Sequence, residues 1–248
     1  MYPTEYVIHE VRFNFTGRGN HSSTLRVPTL HDCAERDVYQ FGVYSGASMK
    51  AIASFFRAHE VPFHQIVGFD SFMGLPAEHI SAGSQAIYRF RLTKGDWRAG
   101  SLSAARYFAR SSGSGGDVLA PLAVVLQQLT ALVDEPRVRF VSGFFNESLT
   151  PQLARTMRPA LYIDCDADLY SSTRESLEWM LAHKLVVPGT VLYYDDWQAG
   201  GRSGQERAHA ELMKKHKVIA KRLAVTDESV KKAVFEVLTV GQERHRRA

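Results

Sequence analysis

From about Val38 onward, short, almost continuous apolar runs alternate with amphipathic segments. Val38–Val43, Gln65–Asp70, Val138–Val141, Ala160–Asp164 and Thr190–Tyr194 read as strands buried on both faces, and Met49–His59 as the helix after the first of them. Between the fourth and fifth strands, Ser172 and Glu175 stand at capping-box spacing ahead of Leu177, Trp179, Met180 and Leu181, and Pro188-Gly189 marks the return to the sheet. Lys217–Val225 and Ala233–Val240 read as two further strands, the latter antiparallel near an edge. The pattern predicts an α/β protein with a doubly wound, mostly parallel sheet of about seven strands.

Two segments depart from the alternation. Residues 1–36 read as an N-terminal extension ahead of a single domain spanning 37–248. Residues 77–117 form an insertion in which Tyr88, Phe90, Trp97, Tyr107 and Phe108 lie among Arg89, Arg91, Lys94, Arg98, Arg106 and Arg110. Loops this long are commonly lids or binding elements, and the plainer alternative is a surface excursion with its aromatics tucked against the body.

Composition narrows the class. Hydrophobic residues at 45% and charged residues at 23% are ordinary globular values, which argues against disorder or a fibre. The longest apolar stretch, Val118–Leu126, is nine residues and contains Pro121. A spanning helix needs about 20, so no membrane partner is expected. No apolar leader is readable at the N-terminus, and Cys33 and Cys165 fit no metal spacing, so a reduced, cytoplasmic setting is expected. The net charge of +4 conceals a split: residues 201–248 hold 12 Lys or Arg against 6 Asp or Glu. Lys214, Lys215, Lys217, Lys221 and Arg222, with the tail Arg244-His245-Arg246-Arg247, offer a polyanion-binding face, but solvated basic faces are commoner, and nucleic acid is disfavoured as a partner.

Four constellations carry chemistry. Gln40-Phe41-Gly42-Val43-Tyr44-Ser45-Gly46-Ala47-Ser48 is a strand entering a glycine turn before a helix, where bare backbone lets a ligand approach. Its spacing is not the GxGxxG of a dinucleotide fingerprint, and no GxxxxGK[ST] loop occurs in the chain. Asp70, followed by Ser71, closes the second strand, where a carboxylate can accept from a ribose diol; a helix N-cap is the structural alternative. Asp164-Cys165-Asp166-Ala167-Asp168 and Asp195-Asp196-Trp197 each follow an apolar strand. So many carboxylates on one sheet edge repel unless a cation sits among them, and a hard divalent ion is an economical solution.

Together these stretches resemble the class I S-adenosylmethionine-dependent methyltransferases, whose fold is Rossmann-like, and within them the macrocin O-methyltransferase family, which methylates sugar hydroxyls on antibiotics and related metabolites. Phe41–Ser48, Gly68–Pro76, Val141–Leu149, Tyr162–Thr173 and Pro188–Trp197 carry the resemblance, in family order. It implies that Gly42, Tyr44, Gly46 and Ser48, with Gln40 beside them, surround the methionine part of S-adenosylmethionine. Asp70 with Ser71 would hold the ribose, and Gly143 and Phe144 the adenine. Asp164, Asp195 and Asp196 match the ligands of a divalent metal, usually Mg2+. Gln40 stands where Glu or Asp is common, and Asp166 competes with Asp164 because the Asp166-Ala167-Asp168 spacing departs from the common form.

The expected reaction is metal-assisted transfer of the sulfonium methyl to a hydroxyl of a small molecule, a sugar or sugar-bearing natural product. Asp164 and Asp166 are the catalytic candidates, Asp166 as proton acceptor with His209 a weaker one. A homo-oligomer is implied by the resemblance only. The rivals are a nucleotide-sugar or NAD enzyme on the same fold, and a non-catalytic cofactor- or RNA-binding module. The active-site edge is acidic and is offset by a basic insertion and tail, and the insertion, if it is a lid, favours an acceptor or intermediate bearing negative charge.

Overall fold

The computed structural model describes residues 30–78, 97–113, 118–197, 204–223 and 232–241. Its elements are α1 (Leu30–Ala34), β1 (Asp37–Phe41), α2 (Ala47–Ala58), β2 (Ile66–Asp70), α3 (Ala104–Ser111), α4 (Leu122–Val133), β3 (Val138–Ser142), α5 (Phe145–Ser148), α6 (Pro151–Ala154), β4 (Ala160–Cys165), α7 (Tyr170–Ala182), β5 (Val191–Tyr194), α8 (Gln205–Lys215), β6 (Ile219–Arg222) and β7 (Ala233–Thr239). One seven-stranded sheet runs in the order β3-β2-β1-β4-β5-β7-β6. The first five strands are parallel, and β7 runs antiparallel to both β5 and β6. The doubly wound, mostly parallel sheet expected from the apolar runs is therefore present, with strand ends shifted by up to three residues.

Alternation along the strands divides the core. Val38, Ile66, Tyr162 and Tyr193 face the layer holding Met49, Ile52 and Phe56 of α2, Phe108 of α3, and Val125 and Leu129 of α4. Tyr39, Phe41, Val67, Phe69, Ile163 and Leu192 face the layer holding Leu177 and Met180 of α7 and Leu212 of α8. Each side chain that points away from one helical layer is buried by the other, which is why these strands read as unbroken apolar runs. The last residues of the N-terminal extension belong to this body, since Cys33 of α1 is fully buried in the first layer.

The capping-box expectation is not met. Helix α7 starts at Tyr170, no side chain of its N-cap Leu169 bonds the first turn, and Ser172 and Thr173 are buried inside the helix. A remote group caps it instead: the Ser171 N–H donates to Glu78 Oε2 at 2.9 Å. The end of the insertion is also ordered against the body. Leu75 N–H donates to Ser101 O, Gly100 N–H to Leu75 O and Ala105 N–H to Phe72 O, which clamps the loop after β2 to the start of α3. Trp97 and Phe108 are buried while Tyr107 is exposed. Tyr88, Phe90, Arg89, Arg91, Lys94 and the C-terminal Arg244-His245-Arg246-Arg247 lie outside the described residues. Among the described residues no helix is long and apolar enough to cross a membrane.

Candidate active site

A cavity of about 610 Å³ opens at the carboxyl ends of the strands, where parallel α/β sheets bind ligands. One wall is the glycine turn after β1 and the loops after β2 and β3, contributing Gly42, Tyr44, Asp70, Ser71, Gly143 and Phe144. The other is carboxylate: Asp166 and Asp168 after β4, and Asp195 and Asp196 after β5.

The two walls meet at Gly42. Its φ is +91°, and a Cβ there would lie 1.9 Å from the Asp166 carbonyl oxygen, so only glycine lets the turn pack on the β4 loop. Gln40 lies completely buried beneath the turn and donates from Nε2 to Gly42 O at 2.9 Å. Its Oε1 is buried with no hydrogen-bond partner among the described residues, leaving one acceptor beside the turn. Tyr44 takes a left-handed conformation at φ 46° and lines the cavity.

Gly46 does not line the cavity. It is the left-handed N-cap of α2, with its Cα face against Leu129 of α4, and its requirement is packing. Ser48 also falls outside the lining, but its hydroxyl reaches Asp166 Oδ2 at 3.5 Å.

Asp70 stands at the end of β2 as expected but caps no helix. Its Oδ2 accepts from Val43 N–H at 2.7 Å and Tyr44 N–H at 2.9 Å, and Oδ1 from Phe72 N–H at 2.6 Å. Burial pushes this carboxyl up, and the three backbone donors act in the opposite direction. The carboxylate thus shapes the glycine turn, and a ribose diol would share oxygens already in use. Ser71 donates to Gly74 O at 2.9 Å and accepts from Met73 N–H at 3.1 Å, tightening the same loop.

The carboxylate wall is electrostatically unsettled. Burial, reinforced by Asp195 and Asp196, pushes the Asp166 carboxyl well above the usual range, while Lys232 and Ser48 work against the shift. Burial, then Asp196 and Asp166, does the same to Asp168, opposed by a hydrogen bond from Trp97. Asp164 is fully buried, does not line the cavity, and has both carboxylate oxygens without a hydrogen-bond partner among the described residues. Its side chain lies within the strand register, between Gln40 and Tyr193, whereas Asp166 is the first residue past β4. The strand end therefore places Asp166, rather than Asp164, at the cavity.

His209 does not reach the cavity either. It is 8% exposed, its Nδ1 meets Tyr194 OH at 2.8 Å, and its ring stacks on Phe235 at 4.3 Å. Burial pushes its pKa down to about 4. A neutral histidine in an aromatic box behind β5 is a packing residue.

Three contributors were not singled out from the sequence. Lys232, immediately before β7, has a side chain only 4% exposed, and its ammonium sits 2.7 Å from Asp195 Oδ1. That oxygen also accepts from Tyr193 OH at 2.8 Å. The signal was available: β7 pairs antiparallel with Tyr194 opposite Ala233, so the residue before Ala233 falls beside Asp195. Gln205, 1% exposed at the start of α8, donates to Cys165 O at 2.7 Å and accepts from Asp196 N–H at 3.0 Å. It ties the two carboxylate loops together, although no local pattern marks it. Trp97, read only as an insertion aromatic, hydrogen-bonds Asp168.

Asp166, Asp195 and Asp196 put carboxylate oxygens on one cavity wall, and the proximity of Asp195 and Asp196 adds to the upward push on Asp166. Among the described residues no three acidic, His or Cys groups are gathered at metal-binding distances, and Lys232 supplies part of the compensating charge.

The Macrocin-O-methyltransferase (TylF) family matches residues 124–235, the part that carries β3 to β5, the carboxylate wall and Lys232. No curated protein matches the chain. Among solved structures, the O-methyltransferase NovP aligns with a TM-score of 0.59 at 18% identity, covering 95% of this chain and 78% of that one. CalS11, a calicheamicin methyltransferase, aligns with a TM-score of 0.55 at 17% identity, covering 84% and 75%. At these identities the likeness is one of fold. Residues 124–235 are thus similar to the macrocin O-methyltransferase family, within a chain whose fold is like that of solved O-methyltransferases.

Proposed function

We propose that the cavity transfers the methyl group of S-adenosylmethionine to a hydroxyl of a small-molecule acceptor, a sugar or sugar-bearing natural product, with help from a divalent cation. The observation that carries this reading is the pairing of its walls: bare backbone and buried acceptors at Gly42, Gln40 and Asp70 face four carboxylates. A cationic sulfonium suits such a cavity. The family's description and the calicheamicin methyltransferase of similar fold support a natural-product acceptor.

Under this reading Gly42 and Tyr44 flank the methionine part, Gly143 and Phe144 the adenine, and Asp70 and Ser71 fix the loop beside the ribose. Asp166, Asp195 and Asp196 hold the cation, taking in Asp166 the place that the sequence first gave to Asp164. When bound, a cation there lowers the pKa of an acceptor hydroxyl and stabilises its developing negative charge. Asp168, the remaining carboxylate of that wall, has its proton affinity raised by burial and is placed to take the hydroxyl proton. Gln205 keeps the two loops in register and Lys232 anchors Asp195, so the acceptor oxygen is presented to the methyl in one orientation.

The test is transfer from methyl-labelled S-adenosylmethionine to a panel of sugars, polyols and catechols, with Mg2+ or with EDTA. Labelled product with at least one hydroxyl acceptor, reduced by EDTA and by Asp196→Asn, is expected. Transfer indifferent to both changes would sink the cation role.

A further inference from the structure

Lys232 places a positive charge inside the protein at the acidic edge of the cavity. Its side chain is 4% exposed, and its ammonium meets Asp195 Oδ1 at 2.7 Å and stands 5.5 Å from the centre of the Tyr193 ring. The same oxygen accepts from Tyr193 OH at 2.8 Å. Among the described residues both of these contacts fall on Oδ1, which leaves Oδ2 of Asp195 to take a ligand from the cavity that this residue lines. The charge is felt beyond its partner. It draws the Asp164 and Asp166 carboxyls down, against the upward push of burial.

An ammonium this deeply buried is kept beside its carboxylate, because away from it the charge would be both buried and unpaired. It therefore stays in place when a diffusible cation arrives. Carboxylate oxygens are the donors that a hard divalent ion takes, and Asp166, Asp195 and Asp196 bring them to one wall. Such an ion meets Asp195 with one oxygen already claimed and a like charge behind it. Repulsion between charges partly withdrawn from water is weakly screened. Tyr193 already orients the claimed oxygen, so what the ammonium adds is mainly charge.

We propose that Lys232 is a resident counter-ion that holds down the affinity of the carboxylate wall for a divalent cation, by claiming Asp195 Oδ1 and opposing the charge of the ion. The inference rests on the cation reading of that wall and deepens it. Lys232 acts here through Asp195 and is a positioning residue. It makes retention of the ion depend on oxygens that an acceptor brings, so that ion and acceptor are held together.

The test is calorimetric titration of Mg2+, with S-adenosylhomocysteine present, into the full-length wild type, Lys232→Met, Lys232→Gln and Lys232→Arg. Lys232→Met, which keeps much of the apolar stem, and Lys232→Gln, which keeps a hydrogen bond to Asp195, both drop the charge. Each should bind Mg2+ at least about tenfold more tightly than wild type, whereas Lys232→Arg should stay within about threefold. Thermal melts give a second reading: the neutral variants should melt below wild type in EDTA and gain more than wild type when Mg2+ is added. Unchanged or weaker Mg2+ binding in the neutral variants, or equal tightening in Lys232→Arg, overturns the inference and leaves the cation reading standing. Mg2+ bound by the neutral variants but not by wild type supports the inference and removes the cation from the wild-type reaction. Failure of all four proteins to bind Mg2+ overturns both.

Discussion

Both edges of this sheet bury aspartates, and they treat them in opposite ways. At the amino edge, Asp37 is completely buried and fully supplied with donors: Tyr39 OH at 2.9 Å, Gln65 Nε2 at 2.9 Å, Arg158 N–H at 2.9 Å and His64 Nδ1 at 2.8 Å. At the carboxyl edge, Asp164 has neither oxygen paired among the described residues, and Asp166 and Asp168 are pushed up by burial and by their acidic neighbours. Among the described residues Lys232 forms an ion pair with Asp195, at 2.7 Å. A carboxylate whose hydrogen bonds close within the protein serves the fold. One left short of donors beside a cavity is poised for something that arrives from outside.

The sharpest way to break this contrast is to remove one carboxylate from each edge. Asp196→Ala should lower kcat/KM for methyl transfer by roughly 1,000-fold, about 4 kcal/mol, with little change in urea denaturation. Asp37→Ala should do the reverse. It strands the donors of His64, Gln65 and the Arg158 N–H, while Tyr39 OH keeps Arg158 O, and urea unfolding should show a loss of about 3 kcal/mol while the folded fraction keeps near-normal kcat. Similar stability losses for the two variants would erase the distinction.

His209 sharpens the contrast from outside both clusters. Its pKa is about 4 in the folded chain, against roughly 6.5 for a free imidazole. Between those values the unfolded chain binds a proton that the folded chain refuses, so this residue's share of stability is full above about pH 6.5 and is lost as the pH falls toward 4. Over that window His209→Gln, which can keep a hydrogen bond to Tyr194, should flatten the decline by about 2 kcal/mol relative to wild type, read from urea melts at several pH values. Parallel wild-type and variant curves would mean that the imidazole is protonated in the folded state. The smallest effect is expected at Asp164, beneath the cavity floor. The isosteric Asp164→Asn should change stability by less than about 1 kcal/mol and leave methyl transfer within about threefold of wild type. A loss on the Asp196 scale would return Asp164 to the cation-holding set.

Much of this was written in the chain as local pattern. Strands buried on both faces show as apolar runs, and ligand-facing residues of a doubly wound sheet collect where those runs end, so Asp70, Asp166 and Asp195 could be placed from sequence alone. What escaped depends on distant partners. Ser172 and Glu175 carry the spacing of a helix start, yet Glu78, from 93 residues earlier, bonds the Ser171 N–H and the helix begins before them. Gln205 matters because Cys165 O and Asp196 N–H happen to face it, which no neighbouring residue announces. Lys232 lies between these cases. Antiparallel pairing of β7 with β5 already puts it beside Asp195, and counting back from the strand would have supplied a built-in cation for the acidic edge.

The central claim is that one cavity holds the cofactor on its glycine wall and a divalent cation on its carboxylate wall. Calorimetric titration of S-adenosylhomocysteine, and of Mg2+ in its presence, into wild type and the Asp195→Asn/Asp196→Asn variant tests both halves at once. The account requires S-adenosylhomocysteine to bind both proteins and Mg2+ to bind only the wild type; no S-adenosylhomocysteine binding, or equal Mg2+ binding to the two proteins, would contradict it.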